Sequence, residues 1–475
     1  MVTVSAGRRV SLNRALCILG PGLMVMLADT DVGSIITAAQ SGARWGYRLL
    51  LIELVLIPVL YLVMELTVRL GATTGKGHAE AIRERFGPRW AALAVGTLLL
   101  SVTGALITEF AGIAAVGGFV GLAPAVTVPL AAAFLFAVVF SGGYRRVELI
   151  GLGLGSFELA FVAAALLAQP RVGSVAASLW SHQPLGDRSY LTLVAANVGA
   201  VVMPWMIFYQ QGAVVDKGLR EPQIRIARLD TALGAVLTQV IMAAILVVTA
   251  ATLSGHHASL TSVGQISTAL SPYLGAFASR LALALGIAGA ALLASIVVSL
   301  AASWAVAESF GARRSLNDAP RTAPLFYGIY AACVTVGAAI VLASHSLVRV
   351  AIDVEILNAL LLPVVIGFLV ALAWTTLPRE HRLRTGQRLA VAAVVVAVTV
   401  MGLAWTALTI LPAPGTATRH AGSSMGQSNA TTPASNHPAM RLAASERVHR
   451  HNESAEMMIR NRHWAHPSAY GRPGP

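Results

Sequence analysis

Long apolar blocks separated by short polar segments constrain this 475-residue chain more than any other feature of its sequence. Each block is long enough to cross about 30 Å of hydrocarbon, which takes roughly 20 residues of helix. Only helices and closed barrels satisfy all their backbone polar groups in lipid, and barrel strands have only about ten residues. The sequence therefore predicts an all-α integral membrane protein embedded in a lipid bilayer.

Eleven apolar segments are long enough to be transmembrane helices. They cover residues 15–44, 47–68, 90–120, 124–141, 147–169, 190–215, 230–254, 274–308, 323–343, 350–375 and 388–412. The first is interrupted near residue 31 and the sixth near residue 204, where polar residues or proline enter the apolar run. The polar segment 71–89 is predicted to form a short amphipathic connector helix. The transmembrane part is thus expected to occupy residues 15–412.

The net charge of +13 raises the question of nucleic-acid binding, but the basic residues are placed as in a membrane protein. If residues 1–14 are cytoplasmic, the loops on that side hold 21 Lys and Arg, against five on the other side. Short cytoplasmic loops carry such an excess. We therefore expect a multi-pass plasma-membrane protein with a cytoplasmic N-terminus, an external C-terminus and no nucleic-acid partner.

Residues 413–475 differ in composition from the rest of the chain. They are rich in Gly, Ser, Thr, Pro, His, Asn and Arg and have little apolar periodicity. Such a segment cannot bury enough apolar surface to fold, so it is predicted to be a disordered tail. Its six His residues are irregularly spaced, which favours a solvated segment over a metal site.

The first interruption places Asp29 and Asp31 inside an otherwise apolar span. A carboxylate at bilayer depth is costly unless it is paired or lines a wet cavity, so two within three residues indicate a functional site. Gly33 and Ser34 are expected to let the helix unwind there. Freed backbone carbonyls together with a carboxylate form a site for a hard cation. Alternatively, one aspartate caps a half-helix, and Asp29 is the better candidate for that role.

The second interruption lies in the sixth span. Pro204 removes one helical hydrogen bond and clashes with the carbonyl one turn earlier, at Ala200. That carbonyl and the thioether of Met203 would then face the opposite side of the bundle. Taken alone, either residue is more often a simple kink or core filler. Two broken helices at matching positions of two five-helix halves instead indicate an inverted-repeat transporter with a site at the midplane.

Six short strings follow one another in a specific order and spacing: GPG at 20–22, ADTDVGS at 28–34, GARWGY at 42–47, TGKGHAE at 74–80, TE at 108–109 and AVVMP at 200–204. They resemble the NRAMP family of divalent metal transporters over most of residues 15–375. The resemblance implies the LeuT-type fold of two inverted five-helix repeats plus extra helices. Repeat one would cover about 15–169 and repeat two about 190–375, followed by helix 11 at about 388–412.

The same resemblance implies a transporter rather than an enzyme, with the transported divalent metal ion as its ligand and no cofactor. In the family, an aspartate and an asparagine of the first helix bind the metal, together with a carbonyl and a methionine sulfur of the sixth. By position these correspond to Asp31, Ser34 in place of the asparagine, Ala200 and Met203. Further residues are predicted beside the site or its pathway: Asp29, Gly33, Trp205, Glu109, Glu355 and Asn358.

Departures from the family pattern bear on the transported ion. Val32 replaces a proline, and Trp205 replaces a histidine that handles protons. Glu109 matches the first of two acidic residues in the third helix, whereas Gly112 stands at the second. A site with fewer direct ligands leaves room for water, which Mg²⁺ gives up reluctantly. The pattern resembles the NRAMP-related magnesium transporter branch and implies transport of Mg²⁺ and Mn²⁺ without proton coupling.

Three other functions stay open at this point. A proton-coupled Mn²⁺/Fe²⁺ transporter of the NRAMP type would retain proton transfer despite Trp205 and Gly112. A sodium-coupled amino-acid symporter of the same fold would bind a substrate carboxylate at half-helix N-termini, where Asp31 would repel it. An intramembrane hydrolase would need a catalytic motif, and neither Gly-x-Ser-x-Gly nor His-Glu-x-x-His occurs in the sequence.

Overall fold

A computed structural model of the protein describes residues 19–253, 260, 264–343 and 347–410. Within these residues the regular structure is entirely helical, with short 3₁₀ turns between some of the helices. The predicted cytoplasmic segment 1–14 and the predicted tail 413–475 lie outside the described residues.

The first predicted span consists of two half-helices, α1 (Pro21–Asp29) and α2 (Val32–Trp45). The other helices, in chain order, are α3 (Leu50–Thr74), α4 (His78–Phe86), α5 (Pro88–Phe119), α6 (Pro124–Phe140), α7 (Tyr144–Gly155), α8 (Leu159–Leu167), α9 (Val172–Leu179), α10 (Arg188–Val201), α11 (Pro204–Asp216), α12 (Ile224–Leu253), α13 (Gly264–Leu274), α14 (Ala276–Phe310), α15 (Pro324–Leu342), α16 (Leu347–Thr375) and α17 (Thr385–Ile410). Eight helical segments in the described ranges are long and apolar enough to cross a membrane. Helices lie in the described part of each of the eleven predicted ranges, and the number of membrane crossings stays a prediction.

Both predicted helix breaks are present in the structure. The chain leaves the helix at Thr30 and Asp31, where Asp31 is extended with φ −72° and ψ 175°. In the second break Met203 is extended, with φ −101° and ψ 145°, and Pro204 begins α11. Proline suits the first helical position because its missing N–H would have no helical partner there, and it forces the preceding residue out of the helical conformation.

The second span is longer than predicted. The predicted boundary at residue 68 is wrong, because α3 continues to Thr74 and ends on Gly75, whose φ of 67° is the left-handed conformation typical of helix ends. Arg69 therefore lies in a helix rather than in a loop. Its guanidinium forms a buried ion pair with Glu65 one turn earlier, at 2.7 Å. The apolar pattern ends at this pair, although the helix does not, and the connector helix α4 is correspondingly short.

The half-helices α1 and α2 pack closely against α12. A Cβ added at Gly22 would lie 2.7 Å from the Thr231 nitrogen, and one at Gly42 would lie 2.2 Å from the Leu246 carbonyl oxygen. Such small residues let helix backbones approach each other in a membrane. The start of α1 is held by Asp230 of α12, which accepts hydrogen bonds from the backbone N–H groups of Gly20 at 3.0 Å and Gly22 at 2.7 Å.

Candidate metal site

The two helix breaks contact each other. The Ser34 hydroxyl, in the first turn of α2, donates a hydrogen bond of 3.0 Å to the carbonyl oxygen of Ala200 in the last turn of α10. Both residues are buried. The structure therefore brings together two residues that the sequence predicts as ligands, although they lie 166 positions apart in the chain.

Asp31 caps the N-terminus of α2. Its Oδ1 accepts a 2.7 Å hydrogen bond from the backbone N–H of Ser34. The capping role that the sequence suggested for Asp29 thus belongs to Asp31, because Asp31 is the last residue before the second half-helix. Capping occupies only one carboxylate oxygen. Oδ2 of Asp31 is buried and has no hydrogen-bond partner among the described residues, so it remains available to a cation.

Glu355 of α16 brings a second carboxylate to the same place. A Cβ added at Gly33 would lie 2.1 Å from Glu355 Oε1 and 3.4 Å from Asp31 Oδ1, so the two carboxylates flank this glycine. The expectation that Gly33 unwinds the helix is wrong, since it lies within the first turn of α2. A larger residue there would have to displace the carboxylate of Glu355. Glu355 Oε1 is buried and unpartnered in the described part of the chain.

The position of Glu355 is fixed by a chain of hydrogen bonds. Asn358, one turn later in α16, donates from Nδ2 to Glu355 Oε2 at 3.1 Å. The Ser101 hydroxyl of α5 donates in turn to Asn358 Oδ1 at 2.6 Å. Asn358, predicted beside the site or its pathway, therefore helps to orient Glu355. The sequence analysis did not single out Ser101, whose contribution depends entirely on which helix packs beside α16.

Met203 and Trp205 contact each other at the second helix break. The indole Nε1–H of Trp205 donates to the Met203 sulfur at 3.2 Å, and both side chains are fully buried. Trp205 stands where the resemblance places a proton-handling histidine. An indole has no titratable nitrogen at physiological pH and acts only as a hydrogen-bond donor. Here it engages the one sulfur predicted to bind the metal.

Two departures from the family pattern pack against each other. A Cβ added at Gly112 of α5 would lie 2.5 Å from Val32 Cγ2, so the valine side chain fills the space beside this glycine. Glu109, one turn earlier, lies close to the break, since its Oε2 is 3.4 Å from the backbone nitrogen of Val32. Helix α5 thus presents one carboxylate, that of Glu109, to the break. At Gly112, where the resemblance places a second acidic residue, the side chain of Val32 fills the space.

Asp29 is directed toward α12. Its Oδ2 lies 3.5 Å from the Thr238 hydroxyl, and the Thr30 hydroxyl is 2.8 Å from the same Thr238 oxygen.

The four buried carboxylates near the breaks have no basic partner. None of Asp29, Asp31, Glu109 and Glu355 forms a salt bridge within the described residues. Buried carboxylates without a basic partner are strongly unfavourable unless a cation or a proton supplies the positive charge. This arrangement is therefore suited to binding a metal cation.

Solved membrane transporters share this architecture. A manganese transporter from Eremococcus coleocola, in complex with an aromatic bis-isothiourea substituted compound, superposes with a TM-score of 0.70 at 18% identity, over 85% of this chain and 88% of that chain. Mhp1, a nucleobase-cation-symport-1 family transporter in a closed conformation, superposes with a TM-score of 0.54 at 15% identity, over 82% and 93%. This likeness establishes the fold, and the predicted LeuT-type architecture is confirmed. The chain therefore has the fold of these membrane transporters.

Sequence comparison identifies the family. The family model described as natural resistance-associated macrophage protein-like, Nramp, matches residues 22–408. The divalent metal cation transporter MntH of Acidiphilium cryptum is 29% identical over 287 residues, which are 57% of this chain and 65% of that relative. The chain thus covers slightly less than two thirds of that relative's length. It belongs to the Nramp family, whose members are membrane transporters of metal cations and not enzymes.

Proposed function

We propose that the protein carries the divalent cations Mg²⁺ and Mn²⁺ across the plasma membrane by alternating access and without moving protons. In such a cycle the half-helices rock against the rest of the bundle, so that Asp31 is reached first from one side and then from the other. The proposal places the chain in the NRAMP-related magnesium transporter branch, with its N-terminus in the cytoplasm and its C-terminus outside. The names of two similar proteins, a divalent metal cation transporter and a manganese transporter, support the general class.

The observation that carries the proposal is the pair of unpartnered carboxylate oxygens on either side of Gly33. Asp31 Oδ2 and Glu355 Oε1 are buried, and their two negative charges match the charge of one divalent cation. The Ser34 hydroxyl and the Ala200 carbonyl, where the two helix breaks meet, offer two further oxygen ligands to a cation. Carboxylates, carbonyls and water are the ligands that Mg²⁺ and Mn²⁺ prefer.

The contact between Trp205 and Met203 supports a preference for hard ions. Softer metals gain selectively from a thioether ligand. In this chain the sulfur lone pair already accepts a hydrogen bond from the indole. A metal approaching Met203 would have to displace that bond, which reduces the advantage of a soft ion over Mg²⁺. Met203 is thus a predicted ligand whose contribution is weakened by its own neighbour.

The absence of proton coupling rests on two positions. Trp205 replaces a titratable histidine, and Val32 packs against Gly112, where the family carries a second acidic residue. The resemblance places proton-handling groups at three positions, 109, 112 and 205, and only Glu109 retains a titratable side chain. A proton pathway through a membrane needs a series of such groups.

Ion flux into liposomes tests the proposal. Purified protein is reconstituted with a Mg²⁺-sensitive dye and a pH dye inside the vesicles, and wild type is compared with Asp31→Ala. Glu84→Gln, which removes an exposed carboxylate of α4, is the matched control. We expect Mg²⁺ entry at constant internal pH, abolished by Asp31→Ala and retained by Glu84→Gln. Entry of no divalent ion would contradict the proposal as a whole.

A proton-coupled Mn²⁺/Fe²⁺ transporter is the second candidate. The retained Met203 thioether and the carboxylate of Glu109 beside the break favour it. In the same experiment this candidate predicts entry of Mn²⁺ without Mg²⁺, accompanied by acidification of the vesicle interior. Glu109→Gln would then stop the acidification, whereas in an uncoupled transporter it would leave the internal pH unchanged.

A further inference from the structure

An open apolar groove lies between the first turns of α5 and the last part of α16. One wall consists of Phe86, Trp90 and Leu93, and the other of α16 residues that include Gly367, Phe368 and Ala371. The ring of Phe368 contacts the rings of both Phe86 and Trp90, with a centroid distance of 6.0 Å in each case. A Cβ added at Gly367 would meet no atom within 4 Å, so the groove is open at this point. The groove has a volume of about 520 Å³, and none of the residues that line it is charged.

Two tryptophans place one end of the groove at the level of the lipid head groups. Trp90 and Trp374 are each 53% exposed. Trp374 follows Ala371 by three positions in α16, so it lies on the helix face that lines the groove. Exposed tryptophans are enriched where membrane helices pass from the hydrocarbon to the head groups. The groove therefore extends from the head-group level into the hydrocarbon layer.

Arg89 lies beside this end of the groove. It precedes Leu93 by four positions in α5, and residues four apart lie on the same face of a helix. Arg85, in the last turn of α4, is exposed as well. Neither arginine belongs to a salt bridge in the part of the chain that the structure describes. The acidic residues of α4 are paired with other basic residues, Glu80 with Arg314 and Glu84 with Lys76.

We infer that this groove binds an anionic phospholipid, with one acyl chain against Gly367 and Phe368 and the phosphate beside Arg89. An acyl chain matches the apolar walls, and a guanidinium donates two parallel hydrogen bonds to a phosphate. Basic pockets between membrane helices on the cytoplasmic side bind anionic head groups in this way. With the orientation proposed above, α4 is cytoplasmic and the lipid comes from the cytoplasmic leaflet, which carries negative charge.

The head group, and not the acyl chain, has to supply the selectivity. Lipid tails are as apolar as the side chains of the groove, so an acyl chain gains little by leaving the surrounding bilayer for the protein. A guanidinium without an acidic partner does distinguish an anionic head group from a zwitterionic one. Arg89 is therefore expected to determine which lipid binds, and the open space at Gly367 to determine where its chain lies.

Native mass spectrometry of the purified full-length protein tests the inference. Phosphatidylglycerol and phosphatidylcholine with identical acyl chains are titrated separately, and the fraction of protein with bound lipid is measured. Wild type is compared with Arg89→Gln, which removes the charge, and with Gly367→Leu, which places a side chain in the groove. Arg171→Gln is the matched control, because it removes an exposed arginine directly before α9. Thermal unfolding verifies that each variant is folded.

We expect phosphatidylglycerol to bind more tightly than phosphatidylcholine in wild type and in Arg171→Gln. Arg89→Gln should weaken the binding of phosphatidylglycerol roughly fivefold, the usual contribution of one basic residue at an anionic surface. It should leave the binding of phosphatidylcholine unchanged. Phosphatidylglycerol with a photoactivatable acyl chain should label residues 86–93 or 364–371 in wild type, and Gly367→Leu should abolish this labelling.

Three results would overturn the inference. Equal binding of the two lipids, or binding of phosphatidylglycerol that Arg89→Gln leaves unchanged, would show that the charge does not recognise the lipid. Labelling only outside the groove would place the lipid elsewhere. Dimers that Gly367→Leu abolishes would assign the groove to a second copy of the chain. None of these results bears on the proposed transport function, because the binding measurement involves no metal ion.

Discussion

The Ser34 hydroxyl donates a 3.0 Å hydrogen bond to the Ala200 carbonyl, and this bond joins the two broken helices at their breaks. Both oxygen atoms are predicted metal ligands, yet in the structure they form a hydrogen bond with each other. An arriving cation can use the second lone pair of the carbonyl or displace the hydroxyl. A hydroxyl–carbonyl bond contributes only about 0.5–1.5 kcal/mol to stability, so it can hold the half-helices together and still give way to an ion.

Ser34→Ala removes this connection and leaves Asp31 in place. We expect it to lower the affinity for Mg²⁺ by less than about tenfold, because one neutral hydrogen bond is worth about 0.5–1.5 kcal/mol. Asp31→Ala, in contrast, should abolish transport. The concentration dependence of Mg²⁺ uptake into liposomes provides the measurement. If Ser34→Ala abolished uptake as completely as Asp31→Ala, the hydroxyl would have to be an indispensable direct ligand.

Trp205→Phe should increase the affinity of the site for soft metals. Phenylalanine keeps the aromatic bulk but removes the N–H that engages the Met203 sulfur, which then becomes free to bind a metal. Inhibition of Mg²⁺ uptake by Cd²⁺ is the readout, and we expect it to strengthen by up to about tenfold, the worth of one hydrogen bond. The double variant Trp205→Phe/Met203→Leu is the control. Equal Cd²⁺ inhibition in that variant would show that the sulfur is not involved.

Gly112→Ala should destabilise the protein. The added methyl group would lie 2.5 Å from Val32 Cγ2, which is too close for two non-bonded carbon atoms. Overpacking of this kind costs about 1–3 kcal/mol. Thermal unfolding in detergent measures the loss, and Gly112→Ala/Val32→Ala should restore much of it because the smaller side chain vacates the space. An unchanged melting temperature in the single variant would contradict the packing of these two positions.

His78, the first residue of the connector helix α4, makes stability depend on pH. Its Nδ1 is 2.9 Å from Gln211 Oε1, and Nε2 is buried without a partner among the described residues. Burial lowers the pKa of His78 from 6.5 to about 4, the hydrogen bond to Gln211 opposing this shift. The imidazole is therefore neutral in the folded protein at pH 5 and protonated in the unfolded chain.

The sign of the pH effect follows from these values. Between pH 6.5 and about 4 the unfolded state binds a proton that the native state does not bind, so stability falls as the pH falls through that window. We expect His78→Gln to flatten this dependence, because glutamine does not titrate. Melting temperatures of wild type and His78→Gln at pH 7 and pH 5 test the prediction. A difference between the two proteins that is the same at both pH values would contradict it.

The sequence by itself determined the helices and the places where they break. Apolar length fixes a transmembrane helix regardless of its neighbours, since lipid leaves the backbone no other way to satisfy its polar groups. Pro204 and the aspartates Asp29 and Asp31 interrupt the helix in their own part of the chain. Both breaks were therefore predictable to within one or two residues. The Arg69 ion pair escaped the prediction because a charged residue ends the apolar pattern even where the helix continues.

Only the tertiary structure decided which side chains meet. Glu355 lies more than 300 positions after Gly33, and nothing in the apolar pattern of α16 indicates that its carboxylate reaches that glycine. The contacts of Trp205 with Met203 and of Val32 with Gly112 likewise depend on the rotation of each helix about its axis. A helix that is apolar on all sides carries no periodic signal for that rotation. The rotation of each helix is set by its packing against neighbouring helices, and those contacts form only when the chain folds.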